Sequence, residues 1–165
     1  MNTFGQAVII GAMSVAAAVG QWKYAPEPAK PAPVACDPAL MPPDEICLAT
    51  VQETWAKDGV LLWIDARSEG EWKADGLPGS IHLTTVGGEN FDDLLEKAMP
   101  RLMESKRAVV YCGSTSCGIS KEVVSRLKQY DMVPGVISEV KALHGGHEAL
   151  KSAGLLHPTN PNSKP

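Results

Sequence analysis

The stretch Ala108-Val109-Val110-Tyr111-Cys112-Gly113-Ser114-Thr115-Ser116-Cys117-Gly118-Ile119-Ser120 decides the fold. It opens on a short apolar run, passes through small residues, and leads into a segment where Val123, Val124 and Leu127 recur at helical spacing. A continuous apolar run bounded by turn residues reads as a buried central strand, and the segment after it as an amphipathic helix. Strand, tight loop and helix form the repeating unit of a parallel α/β sheet. In such sheets ligands bind beyond the carboxyl ends of the strands, and Cys112 stands at that place.

Outward from this unit the same alternation continues. Val60–Ile64 reads as a second central strand and Gly135–Val140 as a less apolar third. Leu48–Lys57, Phe91–Glu104 and Ser120–Gln129 carry apolar residues at helical spacing, and Pro100 is expected to bend or divide the second of these helices. The predicted class is α/β, a mainly parallel central sheet flanked by helices on both faces. No internal repeat is visible.

The flanks differ in composition. Asn2 to Trp22 contain no charged side chain; as a helix they would rise about 31 Å, close to the thickness of a bilayer's hydrocarbon core. Residues 1–24 therefore read as an N-terminal membrane anchor or a signal peptide, with an Ala/Gly-rich cytosolic extension as the plain alternative. Residues 25–43, dense in proline, read as an extended spacer. Residues 44–156 form the folded domain, and residues 157–165, rich in Pro, Asn and Ser, a frayed tail. The expected location is membrane-anchored or exported, on the extracytoplasmic or periplasmic side. The formal net charge of -4, with no Lys/Arg-rich run, excludes a nucleic-acid footprint. Four cysteines are too few for a disulfide-built scaffold; Cys36 and Cys47 could bridge spacer and domain in an oxidising compartment or stand as two independent small residues.

Chemistry concentrates in the loop. Small residues let the successive backbone N–H groups of Gly113, Ser114, Thr115, Ser116, Cys117 and Gly118 turn inward, and the helix behind them adds the positive end of its dipole. Both stabilise an anion, so the Cys112 thiol is expected to ionise easily and act as a nucleophile. The same cradle suits a persulfide, whose charge sits on the outer sulfur.

The order and spacing of further motifs resemble the rhodanese family from about residue 44 to residue 156. Asp65-Ala66-Arg67 followed by Glu71-Trp72 is similar to the family's D-x-R and E-[YF] pattern, and Gly76-Leu77-Pro78-Gly79-Ser80-Ile81 to its GHIPGA segment. Val110-Tyr111-Cys112 matches the active-loop cysteine, and Leu143-His144-Gly145-Gly146 with Ala153-Gly154-Leu155 the L-x-GG…AG ending. The resemblance implies a sulfurtransferase: Cys112 takes sulfane sulfur from a thiosulfate or polysulfide donor and passes it to a thiol or cyanide-like acceptor, with no cofactor and no metal.

Two departures qualify this: the loop lacks an arginine, and Tyr111-Cys112…Cys117…Ser120 resembles a subgroup with a second cysteine in a slightly longer loop. Where many single-domain members carry a loop arginine that holds an anionic donor, this chain has Cys117, with Lys121 the first cation downstream. Cys117 is either a resolving thiol for Cys112 or a small packed residue. A phosphatase is disfavoured because the residue six after Cys112 is Gly118 where that chemistry needs arginine. Asp65 and Arg67 are expected to be structural supports, with Glu71 the partner of Arg67. A zinc site of His144, His147, Cys112 and Cys117 lacks a recognised ligand spacing. The competing functions are a dithiol redox protein using Cys112 and Cys117, and a catalytically idle binding module.

Overall fold

The alternation of side chains along a strand divides the apolar residues of this chain between two faces of one sheet. A computed structural model describes residues 32–57, 59–114, 118–130, 137 and 139–156. Its elements in chain order are Glu45–Ile46 (β1), Leu48–Glu53 (α1), Leu61–Asp65 (β2), Glu69–Asp75 (α2), Ile81–His82 (β3), Phe91–Glu104 (α3), Arg107–Tyr111 (β4), Gly118–Gln129 (α4), Glu139–Leu143 (β5) and Gly146–Ser152 (α5). Single 3-10 turns occur at Pro38–Leu40 and Trp55–Lys57. The five strands lie in the order β1-β5-β4-β2-β3, all paired in parallel.

On one face Leu62, Ile64, Ala108, Val110, Cys112, Val140 and Ala142 pack against Phe91, Leu95 and Leu102 of α3 and Val123, Val124 and Leu127 of α4. On the other face Ile46, Val109, Tyr111 and Leu143 meet Val51 of α1, Trp55, and Ala149 and Leu150 of α5. Each fully buried Val or Leu contributes about 1.5–3 kcal/mol. This two-sided burial explains why β4 reads as an unbroken apolar run. It also sets the odd and even residues of β4 apart: Tyr111 belongs to the α1/α5 face and Cys112 to the α3/α4 face.

The structure corrects three sequence expectations. Helix α3 runs unbroken through Pro100; Pro100 and Glu96 are both exposed, so water can take up the Glu96 carbonyl that proline cannot bond. The last strand is Glu139–Leu143, displaced from the expected Gly135–Val140. Its alternating half-buried Glu139 and Lys141 with buried Val140 and Ala142 is a weaker signal than the apolar run before it. Helix α1 ends at Glu53 and continues only as the 3-10 turn.

Residues 1–31, including the candidate anchor, lie outside the described residues, as do residues 157–165. Among the described residues no helix is long and apolar enough to cross a membrane. The described part of the proline-rich segment is joined to the domain: Cys36 and Cys47 form a disulfide, and Val34 packs against the α1/α5 core. Cys47 is the residue before α1 and is 2% exposed, so the bond fastens residues 32–37 to the mouth of the sheet. Replacing both cysteines by alanine (Cys36→Ala, Cys47→Ala) is expected to lower unfolding stability by about 2–3 kcal/mol in urea titration, the range for closing a short loop.

Candidate functional site

Strand β2 pairs with β3 on one side and β4 on the other, so the chain reverses direction across the sheet here, and in parallel sheets the carboxyl ends at such a reversal are where ligands bind. Cys112 follows β4 at that end of the sheet and is 1% exposed. It is disulfide-bonded. Its Sγ lies 3.4 Å from the Ser120 hydroxyl, which α4 carries inward as a buried residue. Sγ also lies 3.7 Å from the Ser114 carbonyl; a bonded sulfur has no hydrogen to give, so that contact can become a hydrogen bond only in the thiol form.

The backbone of Cys112 is held from below by α5. The His147 N–H donates to the Cys112 carbonyl at 2.6 Å. Gly146 makes this approach possible: at φ +52° a Cβ there would lie 2.3 Å from the Cys112 oxygen. Gly145 precedes it at φ +81°, facing Val34 and Ala149.

A polar network secures the same end of the sheet. Asp65, fully buried, accepts from the Arg67 backbone N–H at 2.9 Å and from Nη2 at 2.8 Å. Arg67 Nη1 donates to Asp75 Oδ1 at 2.9 Å, and the His147 Nε2 lies 3.3 Å from Asp75 Oδ2. Burial alone would lower the Arg67 pKa, but Asp65 and then Asp75 more than offset it and hold the guanidinium above its ordinary value. The Arg67 guanidinium also sits 5.8 Å from the centroid of the Tyr111 ring, against which His147 stacks. The Tyr111 hydroxyl accepts from Leu77 N–H at 2.9 Å and lies 3.3 Å from Ser80 Oγ, which accepts from Trp72 Nε1. Burial pushes the Tyr111 pKa up to about 12.

The structure places the residues singled out in the sequence as follows. Cys112, Gly113, Ser114 and Gly118 surround the carboxyl end of β4 and the start of α4. Thr115, Ser116 and Cys117 lie outside the described residues, so the amide cradle is described only at its edges. Asp65 and Arg67 pair with each other. The expected partner Glu71 is a correction: its carboxylate turns away to accept from Ser68 N–H and Oγ–H, which hold its pKa below the usual carboxylate range, and offers Arg67 only its backbone carbonyl at 3.5 Å. One helical turn later, Asp75 takes that place. Lys121 is drawn to Glu45 at 2.6 Å, and His144 Nδ1 lies 3.1 Å from the same carboxylate. No group of three or more His, Cys, Asp or Glu placed to hold a metal ion occurs among the described residues.

Sequence reasoning missed the supporting roles of His147 and the Tyr111 hydroxyl, whose partners are distant in sequence, and of Asp75, which lies eight residues from Arg67 and one turn beyond Glu71. For Ser120 a signal existed: it opens the buried stripe Ser120, Val123, Val124, Leu127 and is the one hydroxyl in it.

Residues 49–153 match the family model of the Rhodanese-like domain. Among solved structures, a protein of Bacillus halodurans is similar at 18% identity and a TM-score of 0.49, over 70% of this chain and 81% of that one. A protein of Lactobacillus plantarum is similar at 21% identity and a TM-score of 0.47, over 67% of this chain and 84% of that one. Reduced CoADR-RHD of Bacillus anthracis is similar at 18% identity and a TM-score of 0.43, over 68% of this chain and 18% of that one. Among curated proteins none matches.

Two measurements check this construction. Gly146→Ala is expected to cost at least about 2 kcal/mol in urea unfolding, because the new methyl meets a carbonyl in left-handed backbone. Gly70→Ala, in α2 with nothing within 4 Å of its Cβ, is expected to be neutral or to stabilise by up to about 1 kcal/mol. The raised Tyr111 pKa means that the folded state favours the neutral phenol; that contribution is complete below pH 10 and is lost as pH rises towards about 12. Stability measured across that alkaline window should fall by roughly 2–3 kcal/mol more in the parent than in Tyr111→Phe.

Proposed function

Because the chain belongs to the rhodanese-like domain family, we propose that it is a sulfurtransferase in which Cys112 carries sulfane sulfur from a donor to a thiol or cyanide-like acceptor. The observation that carries this reading is the place of Cys112: it ends the central strand at the reversal of the sheet, immediately before the loop and the amino end of a 12-residue helix. That end of α4 is electropositive and favours a thiolate or a persulfide anion.

In the first half-reaction the Cys112 thiolate attacks the outer sulfur of the donor. A new sulfur–sulfur bond forms, the donor's own sulfur–sulfur bond breaks, and sulfite or a shortened polysulfide leaves with the electron pair. In the second, an acceptor thiolate attacks the outer sulfur of the persulfide, and Cys112 leaves as thiolate. No net oxidation occurs. The loop contributes no arginine, and Arg67 and Lys121 are both engaged in ion pairs. A donor of lower charge density than thiosulfate, such as a polysulfide, suits a cradle made of dipoles.

The disulfide at Cys112 favours a second reading on the same site. Cys36 is bonded to Cys47, and Cys117 is the one cysteine left in the chain. In this reading the Cys117 thiol attacks the inner sulfur of the Cys112 persulfide; the intramolecular disulfide forms and hydrosulfide leaves. An external dithiol or two thiols then restore the reduced pair. The Cys36–Cys47 disulfide, which takes no part in this cycle, suits an oxidising, extracytoplasmic location, with the N-terminal segment as anchor or signal.

Intact-protein mass spectrometry of the full chain separates these readings. The protein is reduced, freed of reductant, and treated with thiosulfate or polysulfide beside Cys112→Ser and Cys117→Ser. The expected result is a gain of one sulfur on the parent and on Cys117→Ser, absent in Cys112→Ser. Loss of two hydrogens beyond that of Cys36–Cys47 re-forming, absent in Cys112→Ser and Cys117→Ser, with no sulfur gain even in the earliest samples, would replace sulfur transfer by simple dithiol redox chemistry. An unchanged mass with every donor would leave a binding module.

A further inference from the structure

We propose that Ser120 is a catalytic residue, its hydroxyl donating a hydrogen bond to Cys112 Sγ and stabilising that sulfur whenever it is a thiolate. Its part in sulfur transfer rests on the function proposed above; the hydrogen bond itself does not.

Four observations carry it. Ser120 Oγ and Cys112 Sγ are 3.4 Å apart, and the residues are 3% and 1% exposed. At that burial water cannot serve either group, and a buried hydroxyl left unpaired is destabilising. The direction of the bond follows from chemistry: Cys112 is disulfide-bonded and its sulfur has no proton, so the Ser120 hydroxyl is the donor. When the disulfide opens to a thiolate the same donor faces a charged acceptor, and the bond strengthens. Ser120 also occupies the position in the stripe Ser120, Val123, Val124, Leu127 where an apolar residue would serve packing alone. Finally, the cations near this end of the chain are otherwise engaged, Arg67 with Asp65 and Asp75 and Lys121 with Glu45. A hydroxyl aimed at the sulfur supplies locally what no described guanidinium or ammonium of that set supplies.

The consequence for transfer is specific. When an acceptor thiolate takes the outer sulfur, the bond between the two persulfide sulfurs breaks and both electrons return to Cys112 Sγ. The Ser120 hydroxyl meets the charge as it develops, which makes Cys112 a better leaving group. No proton changes hands: the hydroxyl keeps its hydrogen throughout.

The test uses the full-length protein, Ser120→Ala and Ser120→Thr, each reduced with a phosphine and freed of it. Iodoacetamide alkylation of the Cys112 peptide is followed by mass spectrometry from about pH 5 to about pH 10, a span that brackets ordinary thiol ionisation. Ser120→Ala is expected to slow alkylation about 3- to 10-fold on the acidic side and to reach the parent's plateau on the alkaline side, where the thiol ionises unaided. Ser120→Thr, which keeps a hydroxyl, is expected to stay within about twofold of the parent. Superimposable parent and alanine profiles overturn the proposal. So does a uniform slowing at every pH, the mark of a packing defect.

Persulfide release to a thiol acceptor is then timed on the same samples. A 3- to 10-fold slower release in Ser120→Ala supports the catalytic role, by about the loss of one weak charge-assisted bond. Unchanged release overturns it. If the parent takes up no sulfur at all while the alanine profile is shifted, the hydrogen bond stands and the sulfurtransferase reading falls.

Discussion

The fit of α5 beneath Cys112 is the constraint on which the site depends. One backbone hydrogen bond, from His147 N–H to the Cys112 carbonyl at 2.6 Å, ties the end of β4 to the turn after β5. It exists only because position 146 carries no side chain. The strands alone would fix the height of Cys112 but not the direction in which its backbone leaves the sheet. With its carbonyl pinned from the α1/α5 side, the Cys112 side chain emerges towards α3 and α4, where Ser120 stands. The paired glycines are thus a condition for the direction in which the Cys112 side chain leaves the sheet.

The ionic network around Asp65 and Arg67 has a different purpose from the loop. A buried guanidinium and carboxylate pair gives up much hydration, and such pairs add little net stability over an apolar alternative while being costly to break. Their value here is positional. Arg67 reaches from the end of β2 to Asp75 at the end of α2, and Asp75 reaches His147 in α5. The end of β2, the end of α2 eight residues on, and the distant α5 are thereby tied together, with Arg67 and His147 against the ring of Tyr111, the residue before Cys112. Arg67 is consumed in this, and the polar side chain that lies beside Cys112 Sγ among the described residues is the Ser120 hydroxyl.

Much of the architecture was legible because strong patterns marked it. The buried strands β2 and β4 are continuous apolar runs, and α3 and α4 show clear helical periodicity. What the pattern missed was short or locally ambiguous. Strands β1 and β3 are two residues long and owe their existence to neighbours that pair with them, not to their own composition. Strand β5 was misplaced because Val136 and Ile137 outweighed the alternation of Glu139–Leu143. Pro100 misled for the opposite reason: the rule that proline breaks helices assumes the freed carbonyl has nowhere to go, and on an exposed helix face it has water.

The site divides along the same line, between what chain order encodes and what only folding creates. The place of Cys112 was legible because a residue at the end of a central strand is a local arrangement of adjacent residues. The exchange of Glu71 for Asp75 as the partner of Arg67 was not, because both carboxylates lie within reach along α2 and the choice between them is made by Ser68, which captures Glu71 first. Ser120 falls between these cases. A hydroxyl in the first place of a buried valine and leucine stripe departs from the pattern around it, and a hydrogen-bond partner offsets the cost of burying it. Only the fold, by bringing α4 across the end of β4, shows that the partner of Ser120 is the Cys112 sulfur.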